Sequence, residues 1–232
     1  MLYTRQAVRE NLRNRDGKRV LYLGKGDQLT NDARDYLTAE RIPILPAEQA
    51  KPEQLALLGG GTVSEKPEHM THLNAQLLVP KTHPRIAFRG AIDMLEANLL
   101  LCQKEAGEDM YRKLQDGLEL ARILIRCDVL EEPVPEMKLG GMDGQALRQR
   151  SHLPQNYYGQ PHFMPDGKDD PLLLQINLAR ASARQAELAA VYAFSDRDGI
   201  PVRPDILQAI NRLSSYLYIL MIQIKAGKQT GK

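Results

Sequence analysis

The stretch Leu172–Leu188, LLLQINLARASARQAEL, decides how the chain is read, because it sets charges on a helix face that ought to be packed. At 3.6 residues per turn, Arg180, Arg184 and Glu187 stand at i, i+4 and i+7 and point the same way. Leu173, Ile176, Ala179, Ala183 and Ala186 form an adjoining apolar stripe with small side chains toward its C-terminal half. Small side chains let a neighbouring helix approach closely, which sets the two guanidinium groups beside an inter-helix cleft. A solvated basic face is the plainer reading. Against it stands a second helix with the same oddity: Asn211-Arg212 lies inside the apolar run ILQAINRLSSYLYILMIQI of Ile206–Ile224. Two helices therefore each carry phosphate-competent donors beside apolar surface.

Working outward, the segment beginning PRIAFRGAIDMLEANLLLC at Pro84 reads as a long helix with proline at a favourable first-turn position. Its expected core face is Ile86, Ile92, Leu95, Leu99 and Leu100, while Arg89, Asp93 and Glu96 share another side. Glu108–Leu130 reads as a second helix through Met110, Leu114, Leu118, Ala121 and Ile125, stopped by Pro133 and Pro135. Asp169–Ala193 and Arg203–Ala226 are two more. The expected fold is all-α, a helical bundle of four to five helices. Residues 138–168 form a long irregular segment with at most a helix from Met142 to His152, and its aromatic tip, LPQNYYGQPHFMPDGKD, has the character of a functional lid.

Residues 1–48 read as a small α/β appendage, with Thr4 and Thr30 capping short helices and RVLYLG (Arg19–Gly24) and Ile42–Leu45 as short strands. The GKGD turn at Gly24–Asp27 lacks the pattern of a phosphate loop. Residues 49–65 are expected to be a linker with a flexible Gly59-Gly60-Gly61, and Ala47–Leu58 to hold a weak helix. Lys66–Lys81 is expected to be an extended loop laid against a bundle domain of residues 66–232.

Composition narrows the function. Hydrophobic content of 43% with 26% charged residues fits an ordinary globular protein of 232 residues. A net charge of +2 without a long basic run argues against nucleic acid as a partner. Cys102 and Cys127 are too far apart for a CxxC site and suggest no disulfide framework, which fits a reducing cytoplasm. No apolar signal region opens the chain, and the most apolar helix is interrupted by Gln208, Asn211, Arg212 and Ser214, so no membrane span is expected. His69, His72 and His83 lack a Cys or carboxylate partner at ligand spacing, and no metal site is expected there. Tyr216 and Tyr218 read as packing residues.

The run HPRIAFRGAIDMLEANLLL, then ARASARQAE, then RPDILQAINRLSSYLYIL resembles the cobalamin adenosyltransferases, most closely those of the ethanolamine-utilisation type and more distantly those of the propanediol-utilisation type. The similarity runs from about Lys66 to the end. It implies an enzyme that transfers the 5′-deoxyadenosyl group of ATP to the cobalt of reduced cob(I)alamin, releasing triphosphate, by way of a four-coordinate cob(II)alamin. By position, the resemblance makes Arg180 and Arg184 the active-site arginines, Glu187 the glutamate that follows them, and Asp93 the aspartate that pairs with the first arginine. It sets Asn211 and Arg212 at the nucleotide and makes Lys66, Thr71, His72 and Lys81 ATP contacts. From the aromatic loop, Phe163 is the first choice for the apolar side chain that removes the lower cobalt ligand, with Tyr157, Tyr158 and Phe88 behind it.

One departure from the family concerns metal. Several ethanolamine-type members carry a His and a Cys-Cys-x-x-Cys cluster before the Lys-Pro, whereas Ala47–Glu65 here has neither Cys nor His. No transition metal is expected, only Mg²⁺ with the ATP. Further implications are a reductant as electron donor, a homo-oligomer (trimer favoured over dimer), and a cytoplasmic or microcompartment-associated location. The alternative is a non-catalytic helical nucleotide-binding or scaffolding protein.

The residue types suit that chemistry. Co(I) is itself the nucleophile, so no general base is needed, and the protein must hold polyphosphate charge and align three atoms. Arginine forks and lysines meet the first demand.

Overall fold

Apolar residues at three- and four-residue spacing set the bundle. In the computed structural model, which describes residues 2–15, 18–49 and 54–229, four long helices carry that spacing: α3 (Pro84–Glu105), α4 (Glu108–Leu130), α7 (Pro171–Ala193) and α8 (Pro204–Gln229). The chain divides into two compact units, residues 1–54 with 62–65, and residues 55–61 with 66–232.

In the larger unit the helix starts follow local chemistry. The His83 ring accepts from Arg85 N at 3.2 Å ahead of Pro84, and Asp170 accepts from Leu172 N at 2.9 Å ahead of Pro171. The core is made by Phe88, Ile92, Leu95 and Leu99 of α3, Leu114, Leu118 and Leu124 of α4, and Ile210, Leu213 and Leu217 of α8. Leu173, Ile176, Ala179, Ala183, Ala186 and Ala190 of α7 are all buried with them. Burying a large aliphatic or aromatic side chain is worth roughly 1.5–3 kcal/mol, so this face holds the bundle together. The α3 stripe lies slightly off the expected one. Leu100 is 48% exposed and Phe88 is fully buried in its stead, because the packed face follows Phe88, Ile92, Leu95, Leu99 and Cys102.

The alanines of α7 admit α3 at close range. Asn98 Nδ2 donates to Ser182 Oγ at 2.8 Å, and Phe88 meets Phe194 edge-on at 5.2 Å, so the two helices run antiparallel. Residues 138–168 hold α5 (Gly144–His152) and a further short helix α6 (Pro154–Tyr158). A turn bridging Leu139 and Met142 precedes them, with Gly140 at φ +56°, where a Cβ would meet the Tyr216 ring at 3.0 Å.

Lys66–Lys81 departs from the expected loop. Met70–His72 and Leu77–Pro80 form an antiparallel pair in the register Thr71↔Val79, and Leu55–Leu57 runs parallel to the second of them. Asn74 makes the reversal, its Oδ1 accepting from Gln76 N and Leu77 N at 3.1 and 3.0 Å. Met70, Leu73, Leu78 and Val79 are buried, which gives the hairpin an apolar side. The helix expected across Ala47–Leu58 is replaced by a single 3₁₀ turn at Ala47–Gln49 and the strand Leu55–Leu57, while residues 50–53 lie outside the described residues.

The smaller unit is α/β. Strand β2 (Lys18–Leu23) lies between β1 (Leu12–Arg15), antiparallel to it, and β3 (Ile44–Pro46), parallel to it. Helices α1 (Arg5–Asn11) and α2 (Asn31–Ala39) begin at Thr4 and Thr30, whose hydroxyls accept from Ala7 N and Ala33 N. Val8, Leu21, Ala33, Tyr36, Leu37 and Ile42 fill the space between.

Candidate active site

Helical register brings the two arginines of α7 to α8. Arg180 and Arg184 line a cavity of about 230 Å³ with Ser214, Ser215 and Tyr218 of α8 and with Ser151, His152 and His162 from the segment that crosses it. Arg180 is half-buried, with Nε and Nη2 both donating to Asn177 Oδ1 at 3.1 and 3.0 Å, and Arg184 is exposed. Burial, and then the neighbouring positive charge of Arg184, draw the Arg180 pKa below its ordinary value. An arginine nevertheless keeps its proton at neutral pH. Two like charges held side by side against a protein wall suit an anion, which would relieve their repulsion.

One turn along, Asn211 Nδ2 donates to Glu187 Oε1 at 2.8 Å, which ties α8 to α7 beside the arginine pair. Arg212 is carried elsewhere. Its Nη1 donates to Asn211 Oδ1 at 2.7 Å, but the side chain lines a separate cavity bounded by Gly144 and Leu147 of α5. Successive residues of a helix stand about 100° apart, so with Asn211 turned to α7 its neighbour must face another element.

The aromatic loop reaches this region. His162 Nε2 lies 3.1 Å from the His152 carbonyl, which can only accept, so in the neutral ring the proton is on Nε2 and Nδ1, 2.9 Å from the Tyr218 hydroxyl, is the acceptor. Phe163 stacks on Tyr218 with ring centroids 6.2 Å apart, and Lys225 Nζ lies 5.4 Å from the Phe163 ring. Lys225 also pairs with Asp169, the residue that ends this loop. Phe88 is buried in the core, and Tyr157 and Tyr158 meet each other at 6.5 Å. Among the tyrosines of α8, Tyr216 is a packing residue whose hydroxyl donates to Lys113 O at 2.9 Å, while Tyr218 belongs to the cavity.

Asp93 is exposed on α3, and among the described residues it makes no ion pair with Arg180 or with Arg89. Arg89 is engaged by a different carboxylate. Asp128, fully buried on α4, accepts from Arg85 Nε at 2.7 Å and from Arg89 Nε at 2.6 Å. Arg89 then donates to the carbonyls of His72 and Leu73, at 3.2 and 2.7 Å, and so fastens the hairpin to α3 and α4. Nothing local in the sequence marks Asp128, because its partners are 39 and 43 residues away.

Of the four proposed hairpin contacts, Lys66, His72 and Lys81 are exposed and Thr71 is half-buried. Lys81 Nζ pairs with Glu68 at 3.3 Å in the open, a contact worth about 0–1 kcal/mol that an incoming anion displaces at little cost. Among the described residues no hydrogen bond or ion pair joins the hairpin to the arginine pair, and the hairpin does not line their cavity. In the α3–α7 register set by Asn98–Ser182, Arg184 is level with residues 96–97 of α3, about 11 Å along the helix from the hairpin anchor Arg89.

Among the described residues, no group of three or more His, Cys, Asp or Glu side chains is arranged to hold a metal ion, and no helix is long and apolar enough to cross a membrane.

The corrinoid adenosyltransferase EutT of Salmonella typhimurium (strain LT2) is 35% identical over 228 residues, covering 87% of this chain and 84% of its own length. EutT of Escherichia coli (strain K12) is 35% identical over 181 residues, 77% of this chain and 67% of its own. PduO of Citrobacter freundii, also a corrinoid adenosyltransferase, is 29% identical over 147 residues, 61% of this chain and 43% of its own. In fold, the chain is similar to a variant PduO-type ATP:corrinoid adenosyltransferase of Lactobacillus reuteri solved with cobalamin and ATP, with a TM-score of 0.51 at 16% identity. That likeness covers 77% of this chain and 91% of the other. The family model for cobalamin adenosyltransferases matches residues 62–224, from just ahead of the hairpin to the last turns of α8, and the chain belongs to that family.

Proposed function

We propose that this chain transfers the 5′-deoxyadenosyl group of ATP to the cobalt of cob(I)alamin, giving adenosylcobalamin and triphosphate, in the service of ethanolamine utilisation. The observation that carries the reading is the pair Arg180 and Arg184 standing in one cavity beside the Glu187–Asn211 contact, on a chain from this family. The Co(I) electron pair forms the bond to C5′, the C5′–O bond breaks, and its electrons leave with triphosphate. No proton moves in that step. Arg180 and Arg184 stabilise the departing triphosphate, and Asn211, oriented by Glu187, positions the nucleoside. Arg212 acts through Asn211. Lys66, Thr71, His72 and Lys81 of the hairpin hold the other side of the nucleotide. Magnesium would enter with the ATP and offset phosphate charge beside Arg180 and Arg184.

Phe163 is the side chain we assign to the lower face of the corrin, where an apolar group keeps out ligand and water. A cobalt without its lower ligand in a dry pocket is easier to reduce, because axial ligation and burial tune the potential of a metal centre. An external reductant supplies the electron.

The complete site is formed between copies of the chain. The hairpin is about 11 Å from the level of the arginines within one copy, and 230 Å³ falls below the roughly 300–1,000 Å³ of small-molecule sites. Asp93 is exposed on α3, where Met94 and Leu101 are 60% and 58% exposed, and α7 presents Leu188 and Tyr192, 64% and 78% exposed. Such faces call for a partner. We assign them to a homo-oligomer, a trimer in preference to a dimer, in which Asp93 of one copy meets Arg180 of the next. The location that fits is the cytoplasm, or a microcompartment within it.

The test is to mix the protein anaerobically with MgATP, cobalamin and a strong reductant in dim light and follow the corrinoid spectrum. Formation of the Co–C species is expected. Nucleotide binding with no spectral change would overturn the reading in favour of a scaffold.

A further inference from the structure

Arg212 points away from the arginine pair into a second cavity, of about 360 Å³, between α4, α5 and α8. That volume lies within the range of small-molecule sites. Leu120, Met137, Leu139, Leu147 and Ala209 give it apolar walls. Its cationic group is the Arg212 guanidinium, of which Nη1 is occupied by Asn211 Oδ1. Nε is buried and has no hydrogen-bond partner among the described residues. Nη2 likewise makes no hydrogen bond among the described residues but keeps accessible surface, so it is the donor open to an acceptor.

Two further features favour an anionic acceptor. Gly144, the first residue of α5, borders the cavity, and a Cβ there would lie 3.7 Å from Arg212 Nε. No side chain therefore stands between the arginine and the helix start, whose positive end faces negative charge favourably. The carboxylates at the rim do not neutralise Arg212. Asp205 is held by Arg203 Nε at 3.0 Å, by Arg203 Nη2 at 2.8 Å and by Val134 N at 3.0 Å, and Glu136 is exposed.

We propose that this cavity binds a small aliphatic monocarboxylate, its chain on the leucines and its carboxylate accepting from Arg212 Nη2. One open guanidinium nitrogen among apolar walls matches a single oxyanion with a hydrocarbon body, and does not match a polyphosphate. The assignment does not depend on adenosyl transfer.

Octanoate titrated calorimetrically into the full chain tests it, with octylamine and octanol as chain-matched controls. Saturable one-to-one binding of octanoate is expected, with octylamine silent and octanol much weaker. Arg212→Met is expected to weaken octanoate by tenfold or more, the scale of one hydrogen bond to a charged group. Gly144→Leu, whose Cβ meets only ordinary contacts of 3.7–3.9 Å, is expected to fill the cavity and abolish binding with helicity retained. No saturable octanoate binding, octylamine or octanol binding as tightly as octanoate, or octanoate binding undiminished in folded Gly144→Leu would each overturn the proposal. Should Gly144→Leu not fold, the controls and Arg212→Met decide.

Discussion

Arg184 is exposed and makes no side-chain hydrogen bond or ion pair among the described residues, so its removal should be visible in chemistry and not in folding. Arg184→Ala is expected to weaken ATP binding roughly tenfold to a hundredfold, the scale of a charge-assisted hydrogen bond, and to abolish turnover with the far-UV circular dichroism unchanged. An active variant would remove that residue from the site. Phe163 allows a sharper distinction. If it excludes the lower ligand, Phe163→Ala slows conversion that starts from cob(II)alamin far more than conversion that starts from pre-formed cob(I)alamin, and stopped-flow absorbance separates the two. Equal slowing on both routes would refute that role. At this scale the sequence was informative where spacing alone carries the geometry. Arg180, Arg184 and Glu187 share a face because they stand at i, i+4 and i+7. The same wheel, read one residue further, parts Arg212 from Asn211, a signal the paired Asn-Arg motif obscures.

Elements are held to one another by charges that no local pattern reveals. Asp128 has no exposed surface and is met by two arginines of α3, one of which reaches on to the hairpin backbone. Removing it leaves Arg89 with backbone carbonyls alone and Arg85 with the exposed Glu131 as its only carboxylate, so Asp128→Ala is expected to cost about 3 kcal/mol in urea unfolding. The KM for ATP should also rise more than kcat falls, because the hairpin loses its anchor; a variant that loses stability with KM unchanged would detach the hairpin from nucleotide binding. At the start of α8, hydrogen bonds from Arg203 hold the Asp205 carboxyl down to about 2 against an ordinary 3.8. A carboxyl depressed in the folded state contributes stability that is fully present above its unfolded value and is lost as pH falls through the folded one. Urea midpoints should therefore decline between about pH 4 and pH 2, and Asp205→Asn should flatten that decline by about 1 kcal/mol after solvent screening. The four long helices were legible because their period is local. The hairpin was not: Leu55–Leu57 lies some twenty residues from the strand it joins, and pairing of that kind leaves no period in a polar, proline-bounded segment.

For the molecule as a whole, the decisive question is whether one copy suffices. Asp93 lies exposed without Arg180, and the hairpin is about two turns of α3 from the level of the arginines. Subunits carrying Asp93→Ala alone and Arg180→Ala alone are each expected to be inactive. Co-refolded, they should recover part of the activity, since some interfaces then carry both native residues. Sedimentation analysis of the native chain should give a closed oligomer. A monomer, or a mixture as inactive as its parents, would refute the shared site.

The sequence by itself determined the bundle, the apolar stripe of α7 and the arginine face beside it, because helical period converts spacing into direction without help from distant residues. Only the tertiary structure decided that Asp128 and not Asp93 receives Arg89, that residues 66–81 are a hairpin, that Tyr218 and His162 close the arginine cavity, and that Arg212 opens on another. Those pairings join residues far apart in the chain, and their partners are selected by burial and by the need to satisfy each buried charge and donor.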